Sequence, residues 1–147
     1  MQNIGIITFS QSFKDFGITS RKQFHNNVSF INSTESIITL EGLVFNNGEK
    51  WIANSETHIG MKRIDSILKN NITSDGKVLG EALSKETSNI IKSCDMKGEA
   101  HDQLHVVLAP ILEEITDIKD VTDSSVLNNI VRHLKSLINT YFKYFKT

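Results

Sequence analysis

From Ser36 onward the apolar residues fall into ordered runs, and before it they do not. Met61, Ile64 and Leu68 recur at three- and four-residue spacing with Ile67 alongside, the period of one helix face. Asn54-Ser55-Glu56-Thr57 opens that helix, with Asn54 or Ser55 as N-cap and Glu56 placed favourably near the positive helix end. Gly60 either weakens this helix or admits a close neighbour. Asn70 to Gly76 ends it. A second helix is predicted from near Asp75 to near Cys94, with Leu79, Ala82, Leu83, Ile90 and Ile91 as its apolar side. Its middle, Lys85 to Asn89, carries no large apolar residue, so it is expected to pack least tightly. A third helix is predicted from near Gly98 to about Ile118. Its stripe of His101, Leu104, Leu108, Ile111, Ile115 and Ile118 alternates spacings of three and four, as bundle seams do. Pro110 lies inside it, removes the hydrogen bond to the Val106 carbonyl and is expected to kink the helix. A fourth helix starts near Asp123 or Ser124, with Leu127, Ile130, Val131, Leu134, Leu137, Ile138, Tyr141 and Phe145 on one face. Four helices with short connections predict an all-α, antiparallel up-down-up-down four-helix bundle.

Two stretches precede the bundle. Residues 1–35 show no sustained period and read as an irregular or mobile arm, with a short strand near Ile4 to Phe9. Residues 36–147 then form the bundle domain with an extended lead-in: Ile37, Ile38, Leu40, Leu43, Val44 and Phe45, then the turn signal Asn46-Asn47-Gly48, then Trp51 returning against the body. A short β-hairpin about that turn is marginal by itself.

Composition narrows the function classes. A chain of 147 residues is large enough to bury a core without cross-links. Its formal net charge of -1 supplies no global field for nucleic acid or acidic membranes. No apolar run is long enough to span a bilayer. The start has no basic residue ahead of its apolar patch, so it does not read as a secretory signal. The expectation is a cytoplasmic protein, or a periplasmic one if the true start differs. The single Cys94 excludes an internal disulfide and leaves a thiol free for metal ligation.

In the up-down topology the start of helix one, the end of helix two, the start of helix three and the end of helix four share one bundle end. That end collects His58, Met61, Cys94, Met96, His101, His105, Tyr141 and Tyr144. His101 and His105 lie one helical turn apart and can present two imidazoles to one ion, with Cys94 and Met96 in the link before them. Thiolate, thioether and imidazole together favour copper or zinc over calcium or magnesium. Cys94, Met96, His101 and His105 are therefore the candidate metal ligands. The spacing is not a standard zinc pattern. Each residue also has a plain structural role: His101 in a core stripe, Met96 as a gap-filler, Cys94 as a small buried hydrophobe. A haem bundle is the alternative ligand reading, with Met61 or His58 opposite His101. A bundle serving only as a protein-interaction module is the other. Catalysis has little support: no Glu-x-x-His partner accompanies Glu113 and Glu114, and no phosphate loop or nucleophile elbow is present.

The segments Asn46-Asn47-Gly48-Glu49-Lys50-Trp51 and Cys94-Asp95-Met96-Lys97-Gly98-Glu99-Ala100-His101-Asp102-Gln103-Leu104-His105 resemble a family of small, uncharacterised bacterial helical proteins. Its members carry an Asn-Gly-x-Lys-Trp segment followed by Cys-x-Met-Lys-Gly-x-x-His-x-x-Leu-His. The resemblance covers about Leu43 to Phe145. It implies a helical domain and export, and it supplies no activity, so no catalytic residue is carried over. The expectation is a small non-enzymatic helical bundle with a metal site at one end.

Overall fold

The structure is a computed structural model that describes residues 37–147. The arm of residues 1–35 and its expected strand near Ile4 to Phe9 lie outside the described residues. Four helices follow in order: α1 (Ser55–Lys69), α2 (Gly76–Ser93), α3 (Gly98–Ile118) and α4 (Ser124–Tyr144). Each packs against its two neighbours around a ring, α1 on α2, α2 on α3, α3 on α4 and α4 on α1. The fold is an all-α, up-down four-helix bundle, and its helix boundaries follow the hydrophobic pattern closely.

The caps explain two of the starts. Asp75 accepts hydrogen bonds from the Lys77 and Val78 amides, and Asp123 does the same for Ser125 and Val126. Asn54 works differently. Its side-chain amide donates to the Ser93 carbonyl in the last turn of α2, tying the start of α1 to the end of its neighbour. The apolar stripes meet inside: Leu104, Leu108, Ile111, Ile115 and Ile118 of α3 and the whole predicted face of α4 are buried, whereas His101, expected to start the α3 stripe, is only half-buried and His105 is buried in its place. Pro110 is buried as well, and α3 continues through it without a break.

The middle of α2 does not pack loosely. Thr87 is buried there, with its hydroxyl donating to the Ser84 carbonyl at 3.0 Å. The Ile90 side chain occupies the space that a side chain on Gly60 would need. A missing Cβ on α1 and a small buried Thr on α2 let the two helices approach closely, which a count of large apolar residues does not register.

The lead-in makes the expected hairpin turn, closed by reciprocal backbone hydrogen bonds between Asn46 and Glu49, but its strands go no further. Asn47 and Gly48 both take positive φ, 53° and 85°, as a tight two-residue turn requires. The flanking residues Asn46 and Glu49 form only an isolated antiparallel bridge. Trp51–Ile52 (β1) pairs instead, in parallel, with Phe145–Lys146 (β2) directly after α4, in the register Trp51 to Phe145 and Ile52 to Lys146. A parallel partner across the bundle wins because it buries Trp51 and Phe145 together in the core. The lead-in is also stitched to the helices. The Ile38 amide donates to the Thr140 hydroxyl at 3.0 Å. Gln103 accepts from the Val44 amide and donates to the Gly42 carbonyl.

Candidate metal-binding site

The end of the bundle that carries the β1–β2 clasp also carries the chemistry. His58 in the first turns of α1 reaches across to α4, where its Nδ1 lies 3.1 Å from the Tyr141 hydroxyl. Its ring stands edge-on to Phe142. Tyr141 is fully buried and stacks on Phe145, with ring centroids 5.0 Å apart. Phe45 of the lead-in stacks on Tyr144. These aromatic residues close the bundle end.

Cys94 follows the last residue of α2 and is half-buried. Its Sγ lies 3.9 Å from His101 Nδ1 in the first turn of α3. Burial pushes the thiol pKa up, with the Asp95 charge adding to it, while the nearby Met96 amide and Thr57 side chain pull it the other way. Cys94 also lies within electrostatic reach of Tyr141, whose hydroxyl pKa is raised chiefly by burial. Thiol, hydroxyl and imidazole from all four helix ends thus surround one corner.

His101 and His105 stack one turn apart on α3, with ring centroids 4.2 Å apart and planes tilted by 60°. Their environments differ. His101 is half-exposed beside the thiol, whereas His105 turns into the core and is 2% exposed. Burial lowers the pKa of both, and lowers that of His105 to about 4 with a further push from His101. Both imidazoles are therefore neutral near pH 7, the form that ligates metals.

The four expected ligands are only partly brought together. Cys94 pairs with His101, and His101 with His105. Met96 sits half-buried in the same link and packs on the core. Among the described residues, no group of three or more His, Cys, Asp or Glu side chains is placed to hold one metal ion. The reason is the geometry of a helix end: His101 faces the link, and His105, one turn on, belongs to the core. The haem ligands considered as an alternative are engaged elsewhere, Met61 fully buried and His58 bonded to Tyr141.

One buried polar pair joins two helices that the hydrophobic pattern does not pair residue by residue. Glu114 on α3 and His133 on α4 meet in the core, with Glu114 Oε1 2.6 Å from His133 Nδ1 and both side chains buried. The signal was present: each residue interrupts an apolar stripe, Glu114 between Ile111 and Ile115, His133 between Ile130 and Leu134. Compared with known proteins, the chain matches no family model, no curated protein and no solved structure.

The histidine environments carry a pH prediction. His105 has a pKa near 4 when folded, below the ordinary 6.5, so the unfolded chain takes up a proton first as the pH falls. Its stabilising contribution is present above 6.5 and is lost towards 4. His101 and His58 shift in the same direction. Between about pH 7 and about pH 5, urea unfolding is expected to lose about 2 kcal/mol through His105, and a His105→Asn variant to show a flatter profile. An unchanged pH slope in that variant would show that His105 is not the source.

Proposed function

We propose that this chain is a small non-enzymatic bundle that binds a soft or borderline metal ion, copper or zinc, at the corner formed by Cys94 and His101. The observation that carries this reading is the 3.9 Å approach of the only cysteine to a neutral imidazole at a half-exposed bundle end. A thiol and an imidazole at that distance are a soft donor pair. They stand at the end of α2 and the start of α3, at the bundle end that also holds the Asn54–Ser93 and His58–Tyr141 contacts and the β1–β2 clasp. His105 supports the His101 ring from behind, and Met96 offers a further soft donor two residues from the thiol.

The test is a titration of purified, reduced protein. Uptake of about one equivalent of copper or zinc is expected, with Cys94→Ser and His101→Ala each weakening it by at least about tenfold, or about 1.4 kcal/mol. If neither ion binds and the two variants change only stability, the corner is structural.

A protein-interaction role is the second reading, because Val44, Ile52 and Ile59 are exposed at the same end. It predicts that substituting these three by serine leaves metal uptake intact while changing association behaviour.

A further inference from the structure

We infer that the outer edge of β1 at Ile52 docks an extended segment of a partner protein, one that carries a carboxylate and an aliphatic side chain two residues apart. The inference rests on the protein-interaction reading given second above and supplies the partner's conformation and chemistry.

The backbone sets the edge. The Ala53 amide donates to the Lys146 carbonyl at 2.7 Å, and Trp51 and Ile52 stand in register with Phe145 and Lys146. Trp51 and Ala53 therefore turn their peptide groups towards β2. Successive residues of a strand alternate, so the Ile52 N–H and C=O point the other way. Among the described residues no group hydrogen-bonds to either. An open edge of this kind is a template for a further strand. The other arm of the hairpin does not fill it. Asn46 and Glu49 bond each other, and the Val44 carbonyl accepts from the Trp51 indole at 2.7 Å.

The side chains set the partner. Trp51 and Phe145 turn into the core, which leaves Lys50, Ile52 and Lys146 on the outer face of the strand pair. All three are exposed, Ile52 by 57%. A strand added at this edge lays one side chain beside Ile52 and another, two residues away, beside Lys50. An aliphatic residue matches the first position and a carboxylate the second. Lys50 is held in place by donating to the Phe142 carbonyl at 2.8 Å, and its ammonium keeps donors for a carboxylate. Of the acidic residues next to β1 in sequence, Glu49 falls on the opposite alternation, and the Glu56 carboxylate accepts from the Asn54 side-chain amide at 3.1 Å. The positive field reaches α1: burial lowers the His58 pKa, and Lys62 and Lys50 lower it further. A second copy at this edge would bring further lysines and no carboxylate, so an acidic segment is the better match.

The experiment uses the full chain and a blocked peptide probe, Thr-Glu-Thr-Val-Thr-Glu-Thr. The probe offers a carboxylate two residues from valine in either strand direction. A counterpart carries lysine in place of both glutamates. Hydrogen exchange of the Ile52 amide is followed by NMR. The acidic probe at saturation is expected to slow it at least about fivefold, and the basic probe to leave it unchanged. Lys50→Glu, checked for folding by circular dichroism, is expected to invert that preference. Equal protection by both probes would overturn the charge match. Slow exchange without a probe would show the edge already taken, by a second copy if protection grows with protein concentration, and would overturn the proposal in either case. A probe that binds without changing Ile52 exchange would overturn strand addition and leave the protein-interaction reading standing. Binding of neither probe would overturn the docking edge, while that reading is decided separately by its serine variants.

Discussion

A His133→Leu variant is expected to lose about 3–5 kcal/mol of stability, although leucine is the better core residue. The pair it breaks is buried on both sides, with Glu114 at 0% and His133 at 3% exposure. At 2.6 Å the contact is as short as charge-assisted hydrogen bonds become. Removing the imidazole takes that partner from a carboxyl group with no access to water. The cost of desolvating the carboxyl stays while the compensation from this contact is gone. The same logic makes the effect recoverable. A Glu114→Met, His133→Leu double variant buries no polar group at either position and fills similar volume. It is expected to be more stable than either single variant, as apolar replacements of buried pairs often are. Urea unfolding of the two single variants and the double variant closes the cycle. Additive losses, with a coupling below about 0.5 kcal/mol, would show that the two side chains do not act as a pair.

The pair also marks where sequence pattern stops informing. A stripe such as Ile111, Ile115, Ile118 shows which face of α3 turns inward, because apolar area at helical spacing has only one place to go. It shows equally that Glu114 lies on that face. It does not name the partner on α4, because that depends on the rotation and stagger of two helices. The bundle, its helix order and the shared end for His58, Cys94, His101 and Tyr141 were legible for the first reason. Topology alone puts those ends together, and the contacts among them follow. The split between a half-exposed His101 and a buried His105 was not legible. The spacing puts His101 on the α3 stripe and leaves His105 off it, and the structure reverses the two, because burial depends on what stands opposite each ring. The clasp was hidden for another reason. Two strands of two residues each carry no alternation to read, and their partners lie at opposite ends of the described chain. The Thr140 hydroxyl that receives the Ile38 amide belongs to the same class.

Phe145→Ala is expected to cost about 3–5 kcal/mol and to lower the melting temperature by roughly 10 °C. Phe145 lies beyond the last residue of α4, where a side chain is often dispensable. Here it is 1% exposed, stacked at 6° on the Tyr141 ring and paired through its backbone with Trp51. Truncation removes a large ring from a place that cannot collapse. On one side stands Tyr141, which is also in contact with His58, and on another the β1 backbone, anchored by the Ala53 amide donating to the Lys146 carbonyl. Phe145→Leu keeps most of the volume and loses the stacking, so it should cost well under half as much. The two variants separate filling from stacking. They also test whether the clasp and the thiol–imidazole corner are mechanically joined. Tyr141 links them, packing on Phe145 and meeting His58. Loosening Tyr141 should therefore change the tyrosine signal in near-ultraviolet circular dichroism before global unfolding begins. A cost below about 1 kcal/mol with that signal unchanged would mean that the parallel strand pair is an ornament on a bundle complete without it. The predicted cost, with the tyrosine signal moving first, would make the clasp the element that holds the corner's four helix ends in register.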